Sequence, residues 1–200
     1  SPHFRNRSGN QHRQIQFISQ MPDVALNPNQ QVKYAIGRPL QVYQGFQGRE
    51  LRSKIDEHLE MIELPSSMAT RYPGELSGGE KQRVCIARAI GASPEVIICD
   101  EVTSALDQLV EDGIISLLKR LQDLLSVSYL FITHDLATVE AVADDVVVML
   151  KGEVVESGSV LDVFSPPHHQ YTNQLLSSVP RMNVHWLDNL QRNREPSTGK

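Results

Sequence analysis

Ser77, Gly78, Gly79 and Glu80 carry the first chemistry legible in this chain. A serine followed three residues later by glutamate fits the capping box, in which each side chain satisfies a free amide at a helix start. A helix therefore begins at this point, and Val84, Ala87, Arg88 and Ile90 continue it at helical spacing until Ala92-Ser93-Pro94. Helix starts carry partial positive charge and unpaired amides, and two glycines leave an anion room to approach them. By itself the pattern describes an ordinary capped surface helix as well as a phosphate contact. Two further segments favour phosphate. Val96-Ile97-Ile98-Cys99 reads as a strand buried on both faces, ending in Asp100-Glu101. Tyr129 to Ile132 reads as a second buried strand delivering Thr133-His134-Asp135. Open α/β sheets bind ligands at the C-terminal ends of their strands. Neighbouring strand residues face opposite ways, so the two carboxylates divide the work: one suits a hydrated magnesium ion, the other a water attacking phosphate.

With these residues in place, the chain resembles the ATP-binding subunits of ABC transporters. Leu76 to Glu80 is similar to the family signature, Val96 to Glu101 to its Walker B strand, and Ser104-Ala105-Leu106-Asp107 to its D-loop. His134 resembles the switch histidine, and Gln20, followed by Leu26-Asn27-Pro28, resembles the Q-loop glutamine. Arg71-Tyr72-Pro73 and the segment from His169 to Pro180 narrow the likeness to dipeptide, oligopeptide and nickel importers. Ala25, Cys99, Val102 and Gln170 depart from the usual residues at their positions.

The resemblance implies an α/β, P-loop NTPase-like fold with a mostly parallel sheet and an inserted helical subdomain. It implies ATP and Mg2+ as cofactors, bound between two ATPase subunits paired head to tail, identical or paralogous. Ser77, Gly78, Gly79 and Glu80 would then face an ATP held by the partner, and Ser104 and Asp107 would line the dimer seam. Glu101 would be the general base, Asp100 would hold magnesium, Gln20 would sense the metal, and His134 would contact the terminal phosphate. Transmembrane permease subunits would be the other partners, at the cytoplasmic face of the inner membrane, and import of peptides or a similar small solute the task.

One element of the family is not legible. A phosphate loop needs Gly, four residues, then Gly-Lys and Ser or Thr, and the chain's one Gly-Lys pair is Gly199-Lys200. Few residues precede Gln20, so the sequence reads as a subunit lacking its N-terminal part, with little ATPase activity alone. The alternative reading is a non-catalytic interaction module that docks on a full ATPase or on membrane subunits. An ABC-type DNA-repair ATPase is disfavoured, because no sustained heptads fill the stretch between Gln20 and Ser77.

The elements that must position these residues divide the chain into four. Residues 1–20 are a polar lead-in and a strand, Ile15 to Ile18; residues 21–92 are a helical subdomain with the signature. There Leu51, Ile55, Leu59 and Ile62 mark a helix face, and the segment Pro28 to Gly48 reads as partner-facing loops. Residues 93–165 alternate strand and helix, with Ile114, Leu117, Leu118, Leu121 and Leu125 on one buried helix face. Val146 to Leu150 is expected as a further parallel strand, followed by a hairpin through Lys151-Gly152. Residues 166–200 are a helix and a polar tail. A net charge of −5 gives no electrostatic case for nucleic acid. Cys85 and Cys99 fall at apolar positions and read as core residues of a reducing compartment, and His168-His169 as a solvated loop.

Overall fold

The computed structural model describes residues 8–104 and 106–178. The D-loop residue Ala105, the first seven residues, and the tail expected after Pro180 with Gly199-Lys200 lie outside the described residues. The chain divides into two units, one ending at His134 and the other beginning at Asp135.

In the first unit a short helix α1 (Gly9–Gln14) leads into strand β1 (Ile15–Ile18) and a four-residue helix α2 (Pro22–Ala25). Helices α3 (Val32–Gln44) and α4 (Gly48–Met61) and two 3-10 turns bring the chain to α5 (Gly78–Ile90). Strand β2 (Val96–Asp100), helix α6 (Gln108–Leu125) and strand β3 (Ser128–Ile132) complete it. The three strands form one parallel sheet in the order β1-β2-β3, with Ile18 opposite Cys99 and Asp100 opposite Ile132. Since parallel pairing fixes register, both strand ends that carry candidate chemistry open on one edge.

Helix α3 occupies most of the segment expected as loops. Val32, Ile36 and Leu40 recur every fourth residue and are buried to 1% exposure or less, and Gly45 closes the helix in the left-handed conformation. Pro39 inside the helix masked this pattern in the sequence, since proline normally ends a helix. Ile55 and Leu59 from α4 and its C-cap Ile62 meet this face, joined by Val84 and Ile86 of α5. The same continuous core takes in Ile18, Ile97 and Cys99 from the sheet and Ile114, Leu117, Leu118 and Leu121 from α6. Each such side chain contributes roughly 1.5–3 kcal/mol on leaving water. Leu125, expected on that face, is instead 39% exposed in the last turn of α6.

The strands differ from the two-sided burial expected of them. Ile97 and Cys99 face the core, and Tyr129 and Phe131 follow them across the register with rings edge to face at 5.7 Å. On the other face, Phe17 and Leu130 are about half exposed, with Ile132 beside them. Among the described residues of this unit, helices cover one face only, so alternate residues of strands rich in apolar side chains remain open.

A carboxylate ties the long helices together. Glu63, just past α4, receives Arg83 of α5 at 2.7 Å and Arg120 of α6 at 3.1 Å. The same arginines donate to the Ile62 and Met61 carbonyls, groups that a helix C-terminus leaves unpaired.

The second unit opens on α7 (Leu136–Val142), capped by the Asp135 carboxylate, which accepts from the Ala137 and Thr138 amides. Strands β4 (Asp145–Leu150) and β5 (Glu153–Ser159) follow, then α8 (Val160–Val163) and α9 (Gln170–Ser178). Lys151 and Gly152, with φ of 52° and 86°, make the tight turn expected at that point. This turn also explains a departure: β4 pairs antiparallel with β5 in a two-stranded sheet rather than as the next parallel strand. The apolar run Val146 to Leu150 has the composition of either, and the turn chemistry decides.

Cys85 and Cys99 are buried and unpaired, 1% and 0% exposed. Burial pushes their thiols up to about 11 and about 12. Since the thiolate is the nucleophile, both are expected to react with Ellman's reagent at pH 8 on the order of a hundred-fold or more slower than an open cysteine. Stopped-flow absorbance in buffer and in guanidinium checks this, with full reactivity expected only after unfolding.

Candidate functional site at the sheet edge

Three segments of the first unit converge on Glu101. Its backbone leaves β2 at once: φ is +47°, a left-handed conformation that is costly for a glutamate, and its amide is held by the Ile132 carbonyl at 2.9 Å. The strand alternation that would send Asp100 and Glu101 to opposite faces therefore stops at Asp100. By register Asp100 lies on the sheet's open face with Ile98 and Ile132, half-buried. Gln20, two residues beyond β1, donates from Nε2 to Glu101 Oε2 at 2.7 Å and lies 3.3 Å from Ser104 Oγ. His134, two residues beyond β3, places Nδ1 2.9 Å from Glu101 Oε1. Ser104 Oγ donates back to the Glu101 carbonyl at 3.1 Å. Each carboxylate oxygen of Glu101 is thus aimed by a side chain from a different strand end. The Glu101 side chain is 28% exposed and that of His134 77%, so the cluster opens to solvent on the histidine side.

The second constellation is the start of α5. Ser77 Oγ accepts from the Glu80 amide at 3.3 Å, and Glu80 Oε2 accepts from the Ser77 amide at 2.7 Å. That backbone bond holds the Glu80 carboxyl below its ordinary value. Its charge is turned back onto the helix, and an anion facing the helix start does not meet it. The two glycines differ in what they do. A Cβ on Gly78 would stand 3.5 Å from Leu106, an ordinary contact, whereas one on Gly79 would stand 2.6 Å from Val110 Cγ1. Gly79 is required by packing against α6, a reason the sequence alone did not reveal. Gly79→Ala is expected to cost about 1–3 kcal/mol, more than the helix preference for alanine returns. Urea unfolding should show the cost vanish in a Val110→Ala background, as a double-mutant cycle requires of a direct clash.

Asp107 caps α6, accepting from the Val110 amide at 3.1 Å. Among the described residues no three histidine, cysteine or acidic side chains cluster as a metal site. Asp100 and Gln20 nevertheless offer the hard oxygen donors that Mg2+ prefers. With Nε2 of Gln20 committed to Glu101, its Oε1 accepts no hydrogen bond among the described residues. His168 is half-buried and His169 exposed, and neither belongs to a metal cluster among the described residues.

The family described as ABC transporter matches residues 2–104. The chain belongs to the ABC transporter ATP-binding family. The C-terminal region of oligopeptide/dipeptide transporters matches residues 155–200 of this ABC protein. A Brucella abortus (strain 2308) protein named for peptide import ATP binding is 46% identical over 84% of this chain and 51% of its own length. The dipeptide transport ATP-binding protein of Haemophilus influenzae is 39% identical over 94% of this chain and 56% of its own. A dimeric ATP-binding cassette in a post-hydrolysis state, bound to ADP and Pi, superposes with a TM-score of 0.66. It is 30% identical, over 78% of this chain and 68% of that one. The fold is that of the ABC ATPases, and this member spans about half the length of the curated relatives it matches. No helix among the described residues is long and apolar enough to cross a membrane.

Proposed function

We propose that this chain is part of the ATP-binding subunit of an ABC importer and that it couples ATP hydrolysis to uptake of peptides or a similar small solute. The observation that carries this reading is the convergence of Gln20, Glu101 and His134 at the sheet edge. Glu101, held at both oxygens, takes the proton of the attacking water. Gln20 keeps the carboxylate aimed and would offer its own oxygen to the metal, while His134 would contact the terminal phosphate. Asp100 with Gln20 would hold Mg2+, which supplies charge neutralisation on the phosphates. Ser77, Gly78 and Gly79 present the amides of α5 to a nucleotide held by a second ATPase subunit, identical or paralogous. Glu80 keeps its own charge away by capping, and Ser104 and Asp107 line the seam between subunits. Permease subunits bind the helical region, which puts the protein at the cytoplasmic face of the inner membrane.

The test is association. Mixed with a full-length ATP-binding subunit of a peptide importer, the chain is expected to sediment as a heterodimer in ATP and Mg2+ and to separate in EDTA. Sedimentation unchanged by nucleotide would overturn the reading.

A further inference from the structure

Lys81 stands in the first turn of α5, where the helix's own partial positive charge disfavours a cation. Its side chain is only 17% exposed, and Nζ lies 2.6 Å from Asp23 Oδ1. Two helical turns further on, Arg88 donates from Nη1 to the carbonyl of Ala25. A spacing of seven residues puts both cations on one face of α5, and both grip α2. Helix α2 is four residues long and buries none of them, and its N-cap Met21 makes no side-chain bond, so its other anchorage lies at its end, in half-buried Ala25 and the buried C-cap Leu26. It begins two residues after Gln20, whose amide aims Glu101.

We propose that Lys81 and Arg88 are positioning residues, a two-point clamp that fixes α2 and through it holds the Gln20 amide on the Glu101 carboxylate. The catalytic consequence rests on the function proposed above, but the clamp itself does not. Signature helix and Gln20 are then joined by two specific side chains, so a shift of α5 is passed to the carboxylate without any change in the sheet.

Hydrogen exchange of the full 200-residue chain, read by mass spectrometry, tests the clamp. The Val24, Ala25 and Leu26 amides bond to Met21 and Pro22 carbonyls and report α2 directly. In Lys81→Met their exchange is expected to rise about five-fold, the scale of one partly exposed ion pair, with β3 peptides unchanged. Arg88→Lys, which keeps the charge but shortens the reach, is expected to act in the same direction. The exchanged pair Asp23→Lys with Lys81→Asp should restore protection. In parallel, the Gln20 side-chain amide resonance, assigned by its absence in Gln20→Glu, should move toward the free-glutamine position in Lys81→Met. Unchanged exchange, no restoration by the swapped pair, or an unmoved Gln20 resonance would each overturn the clamp. Neither readout involves ATP hydrolysis, so a failure of the proposed function would leave both intact.

Discussion

Glu101→Gln in a full-length ATP-binding subunit carrying this sequence is expected to lower ATP hydrolysis by roughly 10²–10⁴-fold, the contribution of a positioned general base. The geometry makes this a clean substitution. A glutamine can still accept from Gln20 Nε2 with its carbonyl oxygen, at the 2.7 Å separation seen for Glu101. Its amide can face His134 Nδ1, which accepts when the ring carries its proton on the other nitrogen. The left-handed backbone and the Ile132 bond are untouched. Chemistry is lost while the cluster stays in place, so hydrolysis should fall with nucleotide binding and thermal midpoint unchanged. Steady-state phosphate release beside fluorescent-nucleotide titration checks both halves, and a variant retaining more than a tenth of the rate would remove Glu101 from the role of base.

The second large effect is expected at the other constellation. Ser77→Arg in a reconstituted two-subunit complex should lower hydrolysis at the partner's site by about 10²–10³-fold, the scale of losing one preorganised donor set at a charged transition state. The arginine removes the hydroxyl that caps the Glu80 amide, while the backbone amide of residue 77 remains to hold the Glu80 carboxylate. It also places a long side chain where Gly78 and Gly79 leave an approach. Loss of the cap alone costs about 1 kcal/mol of stability, which Ser77→Ala isolates. Ser77→Ala should therefore share the stability loss of Ser77→Arg but retain most of the rate. Equal phosphate-release rates for Ser77→Arg and the unmodified complex would sink the proposed division of the site.

What the sequence revealed follows the range of the interactions involved. Strand β1, the start of α5 at Ser77 and the turn at Lys151-Gly152 are specified by neighbouring residues, and each stands where the local pattern puts it. The family, the order of its motifs and the fold class were equally legible, because they depend on short strings such as Leu76 to Glu80. The misses are of another kind. Helix α3 was hidden because Pro39 contradicts it locally, and tertiary packing of Val32, Ile36 and Leu40 overrides one proline. Burial of β2 and β3 on both faces could not be judged from apolar content, which gives no information on what covers each side. The pairing of β4 depended on a partner further along the chain. At the site, the sequence supplied Gln20, Glu101 and His134 but not the bonds between them, nor the packing need at Gly79. Lys81 carries a signal, a cation in the first turn of a helix, but nothing local points to its partner Asp23.

The backbone at Glu101 sets two demands against each other. Its φ of +47° is a conformation that asparagine and glycine accept more readily than glutamate. Protein stability therefore draws this position toward asparagine, and reactivity draws it toward a carboxylate that reaches Gln20 and His134. Glu101→Asn is expected to forfeit turnover without lowering the thermal midpoint, even though it removes two side-chain bonds. A library of variants screened for heat resistance alone would accumulate changes at this residue and return inactive protein.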